Sequence, residues 1–292
     1  VVNAPNNTIG GVLTVGATGA DTITSNIPVG NVISGNTGSG VLVQSAGTGT
    51  VITANLIGTD HNGILKLANG SSGIRVLGAS GVAIGGNSAQ ARNVISGNTG
   101  SGISLESNTT GATIARNIIG LDVNGVGALA NTSNGITILS GSGNTIGGTD
   151  GLSGNVISQN GGSGISLSAG AGNGFLGNSI FNNVGAPIAE TAGTNNSIAA
   201  PTLSTATRSA SGVTINGSIS GANGTYRVEL FGSTLTGQAQ TFLGFVSVTI
   251  SSGGAANFSF LSHTVATGQF ITATVTDPSN DTSKVSNALT SP

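Results

Sequence analysis

The chain contains no cysteine, no methionine and no tryptophan. Without cysteine it can have neither a disulfide framework nor a thiolate metal site. Charge is nearly as scarce. Asp, Glu, Lys and Arg make up 5% of the 292 residues, against about 25% in an average globular protein. The net charge is −2, and no Lys/Arg cluster offers the footprint that a nucleic acid needs. No apolar run approaches the roughly 18 residues of a membrane-spanning helix. No signal peptide is evident, and the chain begins at Val1 rather than Met, which reads as a processed or excised segment. Helices are hard to place, because 51 glycines interrupt every window of helical length. Such a Gly- and Ser-rich composition also fits a disordered tract, but here apolar residues recur in register with a repeat.

The repeat is the dominant feature. The string N-V-I-S-G-N-T-G-S-G at 31–40 returns unchanged at 93–102, and again at 155–164 as N-V-I-S-Q-N-G-G-S-G. The offset is 62 residues both times, and 31–86 aligned on 93–148 without a gap gives 32 identities in 56 positions. Self-similarity of this kind means one supersecondary unit stacked on copies of itself, a solenoid. Each unit holds two turns. Asn31, Asn55, Asn93, Asn117, Asn155 and Asn178 each precede a pair such as Val32-Ile33 or Leu56-Ile57, at spacings of 24, 38, 24, 38 and 23. The longer spacing carries an extra loop, near 59–72 and 121–134. Between these points lie alternating triplets, Val41-Leu42-Val43, Ile74-Arg75-Val76, Ile103-Ser104-Leu105, Ile136-Thr137-Ile138 and Ile165-Ser166-Leu167. Period two with aliphatic outer members means half-buried strands. A glycine precedes each triplet and marks a bend.

Coils of about 24 residues with three short strands resemble the right-handed parallel β-helix of the pectin-lyase-like superfamily, over about residues 1–190. Similar repeats occur in large bacterial secreted and surface proteins. In that superfamily asparagines stack at one turn, so the resemblance implies that the six asparagines above form a ladder. An amide suits the place, because it brings both donors and an acceptor to backbone groups that a buried turn leaves unpaired. Five residues beyond each of them lies a second series, Asn36, Asp60, Asn98, Asp122, Asn160 and Asn183, expected to be a column of Asx turns.

Composition shifts near residue 186. Six of the eight phenylalanines and the single tyrosine lie after residue 200. Residues 186–201 read as a linker, and seven strands are expected at 203–208, 212–219, 225–232, 241–250, 256–262, 269–276 and 283–288. In the third, Tyr226, Val228 and Leu230 alternate with Arg227 and Glu229, as on a sheet with one face buried. Seven strands in this length predict an immunoglobulin-like sandwich over 191–292, linker included. The fold class expected is all-β, a parallel β-helix followed by that sandwich.

Chemistry is thinly provided. Members of the superfamily that cleave acidic polysaccharides use clustered aspartates, or Ca²⁺ held by acids with an Arg base. Here the N-terminal acids are Asp21, Asp60, Glu106, Asp122 and Asp150. Asp60 and Asp122 are equivalent by the repeat, and as a catalytic pair two coils apart they would stand roughly 10 Å from each other. Their place in an Asx column favours a structural role. Arg75 and Glu106 should point outward into solvent. His61 and His263 lack partners at metal-ligand spacing. Asp277 and Asp281, in D-P-S-N-D-T, are weak Ca²⁺ candidates beside the plainer reading of a β-turn. No cofactor is expected. The sequence reads as a non-enzymatic structural or adhesive protein, extracellular or on the cell surface, with polysaccharide binding or cleavage as the alternative. Val1 opens directly in repeat-like sequence, so the first coil is expected to be uncapped and to invite assembly of copies through the coil ends.

Overall fold

The computed structural model describes residues 1–11, 30–45, 48–252 and 254–292; Asp21 lies outside them. Up to Glu190 the strands stack in three parallel sheets of six, with Thr109–Thr110 and Gly141–Ser142 as a separate parallel pair. Sheet 1 runs from Val32–Ile33 through Leu56–Ile57, Val94–Ile95, Ile118–Ile119 and Val156–Ser158 to Ser179–Phe181. Sheet 2 runs from Val41–Gln44 through Ile74–Leu77, Ile103–Glu106, Ile136–Ile138 and Ile165–Leu167 to Ile188–Glu190. Sheet 3 runs from Thr8–Gly10 through Val51–Thr53, Ala83–Gly85, Thr113–Ala115 and Thr145–Gly147 to Gly174–Leu176. At about 4.8 Å per strand the stack is only about 25–30 Å tall.

Register follows from the repeat. Ile33, Ile57, Ile95, Ile119, Ile157 and Ile180 pair in succession along sheet 1. Ile9, Ile52, Ile84, Ile114, Ile146 and Phe175 do so along sheet 3. Like side chains therefore sit on like, and together with the outer members of the sheet 2 triplets they fill one continuous core. A slip of one residue would turn every isoleucine outward, so burial itself fixes the register. The glycines before the sheet 2 triplets are explained by crowding rather than by backbone conformation. A Cβ on Gly135 would lie 2.4 Å from Ile157 Cγ2 and 2.7 Å from the Gly164 carbonyl of the next coil.

After Thr202 the strands are antiparallel and form the two sheets of an immunoglobulin-like sandwich. One holds Thr202–Ser209, Gly212–Ser220 and Ala255–Ser262; the other holds Thr241–Ile250, Gly224–Ser233, Phe270–Thr276 and Leu289–Thr290. Their inner faces enclose a second core containing Tyr226, Val228, Leu230 and Ile271. Two expectations need correction. The seventh strand is Leu289–Thr290, not 283–288. The stretch before it bonds to Phe270–Thr276 partly through serine hydroxyls, with Ser283 Oγ accepting from Val275 N–H at 3.1 Å and Ser286 Oγ from Ala273 N–H at 2.9 Å. Glu229, expected on a solvated face, has no exposed surface at all.

Both departures have one cause: the sandwich sits on the last coil. Ala239 and Ile180 exchange N–H···O bonds of 3.0 and 2.7 Å, which covers the open edge of sheet 1. Thr282 N–H bonds to Asn173 O at 3.3 Å, and Thr282 Oγ accepts from Phe175 N–H at 2.9 Å, which covers sheet 3. Glu229 Oε2 accepts from Gly177 N–H at 2.8 Å. Val285, from the stretch diverted out of the sandwich, packs against the solenoid core. A solenoid end exposes unpaired backbone and an open core, and this module closes it.

Candidate functional site

The six ladder asparagines form one column between sheets 3 and 1. From Asn55 to Asn178 each Oδ1 accepts from the amide of the asparagine one coil earlier, at 3.1, 3.1, 2.8, 3.0 and 2.9 Å in order. Asn93, Asn117, Asn155 and Asn178 also donate to Ile52, Ile84, Ile114 and Ile146 carbonyls in sheet 3. From Asn55 to Asn178 the corner is thus a buried hydrogen-bonded column, with only Asn31 exposed.

The second column, between sheets 1 and 2, differs from its expected membership. It runs Asn36, Asn69, Asn98, Asn131, Asn160, Asn183, with amide contacts of 2.8–2.9 Å. Asp60 and Asp122 are not in it. In the long coils the chain leaves the stack at that point and returns through a small hairpin, bridged Thr59 to Lys66 and Leu121 to Ala128. The column position is filled only after the return, by Asn69 and Asn131. Counting five residues forward follows sequence spacing, whereas the column follows the sheet. A third column is also present, in which Asn144 Oδ1 accepts from Ala112 N–H at 2.9 Å and Asn173 from Asn144 at 2.9 Å, ending on Asn195. Its sequence signal is an asparagine directly before a sheet 3 strand.

The acids serve local structure. Asp60 Oδ1 accepts from Ile64 and Leu65 N–H, both at 2.9 Å. Asp122 Oδ1 accepts from Asn124 and Val126 N–H at 3.1 and 3.0 Å. The Leu65 N–H leads in holding the Asp60 carboxyl below its ordinary value. Burial pushes Asp122 up, but the N–H groups of Val126 and Gly127 outweigh it and the net direction is down. A glycosidase acid needs a raised value, so neither suits that role. The two loops instead stack, Val123 N–H on Gly63 O at 2.9 Å. Leu121 and Val123 thereby cover the outward side chains Leu56, Val94 and Ile118. Arg75 and Glu106, expected to point outward into solvent, form a bidentate pair at 2.9 and 2.7 Å.

The calcium candidates are spent elsewhere. Asp277 opens a β-turn, its Oδ1 accepting from Ser279 and Asp281 N–H at 2.9 Å each. Asp281 is buried at the junction, where it accepts from Gly172 N–H and from the Asn196 amide. Among the described residues no three His, Cys, Asp or Glu side chains are grouped to hold a metal. An open groove of about 610 Å³ does cross the outer face of sheet 3. Its floor is Thr53, Ala83, Gly85, Thr113 and Ala115, between loops at 86–91 and 148–153. Asp150 is the acid on its wall, and its oxygens are engaged by Leu152 and Ser153 of its own loop.

Three parallel sheets of short stacked strands, laddered corners and a terminal sandwich define a right-handed parallel β-helix protein. Residues 29–217 match the family model described as "Periplasmic copper-binding protein (NosD)", and the chain belongs to that family. The match covers most of the solenoid and the start of the sandwich. A comparison with curated proteins gives no match. Family membership places the chain outside the cytoplasm, in the periplasm or beyond it. Among the described residues no helix is long and apolar enough to cross a membrane.

Proposed function

We propose that this protein is a non-enzymatic structural or adhesive module, a stiff extracytoplasmic block that presents its side faces while the sandwich closes one end. The observation that carries this reading is the fate of the described acidic residues of the solenoid. Asp60, Asp122 and Asp150 hold loop turns, Glu106 pairs with Arg75, and Glu190 lies in the last coil. Of these only Glu190 has a second acid within electrostatic reach, Asp281, and that carboxylate is spent on Gly172 N–H and the Asn196 amide rather than facing a cleft in which a glycosidic bond could be cleaved.

The family description names copper. The donor set of this chain does not fit that ion, because copper sites draw on thiolate, thioether and imidazole. Cysteine and methionine are missing, and the two histidines lie in different modules, with His263 beside the Ser211 carbonyl. Assembly of copies into a polymer belongs to the same proposal. Its C-terminal contact would fall on the sandwich, since the last strands of sheets 1 and 3 are engaged by Ala239 and Thr282.

The test is to incubate the purified chain with acidic and neutral polysaccharides and to measure new reducing ends and unsaturated products. The expected result is none. Cleavage that Asp60→Asn with Asp122→Asn abolishes would move the protein to the polysaccharide-cleaving alternative. Sedimentation and electron microscopy on the same sample address assembly, and monomers alone at high concentration would remove the polymer.

A further inference from the structure

Two arginines on neighbouring coils, Arg92 and Arg116, have no carboxylate partner among the described residues. The ion pairs there are Arg75–Glu106 and Arg227–Glu229. The register Val94 to Ile118 sets Arg92 and Arg116 one coil apart, about 4.8 Å along the stack. Both are half-buried, and the Nε of each is shielded from solvent with no hydrogen-bond partner. Arg116 N–H is tied to Ser153 O at 3.0 Å, which holds the Arg116 backbone against the 148–154 loop. The charge of Asp150 reaches Arg116, but its carboxylate already accepts from Leu152 N–H, Ser153 N–H and Ser153 Oγ at 2.7–2.9 Å.

The coil does not need arginine at these positions. Each lies directly before a ladder asparagine, where the other coils carry Gly30, Ala54, Gly154 and Gly177. Arg116 moreover has φ 61°, a conformation that glycine takes without strain. The two side chains line a cavity of about 140 Å³ with Ala89 and Leu152 from the overhanging loops and Ile118 and Val156 beneath. A guanidinium cannot shed its charge, so two of them share an apolar-walled recess in which no carboxylate of the described residues bonds to either. Burial, with the charge of Arg116 added, disfavours the protonated form of Arg92. A tetrahedral or planar oxyanion supplies what is missing, since it accepts from several fixed N–H groups of each fork at once.

We propose that Arg92 and Arg116 form a clamp for one oxyanion, a carboxylate, sulfate or phosphate group. This goes beyond the structural role above and stands without it, because it rests on a different part of the solenoid surface. The test is isothermal titration of the full chain at low ionic strength with inorganic phosphate, inorganic sulfate, galacturonate, trigalacturonate and a neutral trisaccharide. Saturable binding of the anions is expected, with the neutral sugar silent. Arg92→Gln or Arg116→Gln should weaken it roughly tenfold or more, the double variant should lose it, and Arg75→Gln should leave it unchanged. Trigalacturonate binding well above galacturonate would assign the anion to a glycan, and equal binding to a free small anion. A second readout needs no variant: phosphate should slow phenylglyoxal modification of Arg92 and Arg116 but not of Arg208. Absence of saturable anion binding, equal binding by the double variant, or modification indifferent to phosphate would overturn the clamp.

Discussion

The solenoid and the sandwich solve the same problem, buried backbone at the ends of strands, by opposite means. In the sandwich the chain reverses and antiparallel neighbours pair most of the groups, with serine hydroxyls where pairing lapses at Ser283 and Ser286. In the stacked sheets of the solenoid neighbouring strands never reverse, so each corner would leave groups unpaired, and columns of asparagine amides take them up. A column, however, must end. At Asn178 and Asn195 there is no further coil, and the sandwich meets the last strands there. The difference teaches that the solenoid is stable within its length and weak at its end, and that the second module is placed where the first is weak.

The sharpest way to break this contrast is to remove one rung. Asn93→Ala deletes side-chain bonds to Asn55, Asn117 and Ile52 in a fully buried corner. It should cost about 3 kcal/mol by denaturant unfolding. Asn216→Ala, at a half-buried position of the sandwich where the amide makes a single 3.0 Å bond to Thr205 Oγ1, should cost at most about 1 kcal/mol. Crowding between coils comes next. Gly85 has φ 84°, and a Cβ there would lie 1.9 Å from the Ala115 carbonyl. Gly85→Ala should therefore cost about 2 kcal/mol or more, seen as a fall in the urea midpoint.

The junction gives a smaller, pH-dependent effect. Burial raises the Glu190 carboxyl to about 7 from the ordinary 4.5, against the pull of Lys284 and the Asn195 amide. Burial likewise raises Glu229, against the Gly177 N–H and Arg227. A folded-state value above the unfolded one means the native protein holds extra protons through this window, so stability falls as pH rises from about 4.5 to about 7. Allowing for partial exposure, Glu190 should account for about 1–2 kcal/mol. Melting curves at pH 5 and pH 8 measure it, and Glu190→Gln should flatten the difference. Least affected should be Asp60→Asn with Asp122→Asn, within about 0.5 kcal/mol each, because an amide oxygen can still accept the loop N–H bonds.

The repeat made the coil legible because identical residues at a fixed offset stack on themselves, and the asparagines before Val32, Leu56 and Val94 stood out for that reason. Sheet 3 was harder to see. Strands such as Ala83–Gly85 and Thr113–Ala115 have one large inward residue, Ile84 or Ile114, flanked by small or polar ones. The Asp60 and Asp122 loops misled because a fixed count ignores an excursion that leaves and rejoins the sheet at the same column. Glu229 was misplaced because alternation reports only that a strand has two faces. That a second module covers the outer face is set by long-range docking through Ala239, Thr282 and Val285. The arginine pair was missed because Arg92 and Arg116 lie 24 residues apart in the sequence and meet only across adjacent coils.

The central claim is that the sandwich closes the solenoid, and amide hydrogen exchange on the intact protein tests it most directly. Phe175, Gly177 and Ile180 in the last coil donate to Thr282, Glu229 and Ala239 of the sandwich. Their amides should exchange as slowly as those of Ile118 and Val156 in interior coils. Exchange at those three amides as fast as in the exposed loops, while Ile118 and Val156 stay protected, would contradict the claim.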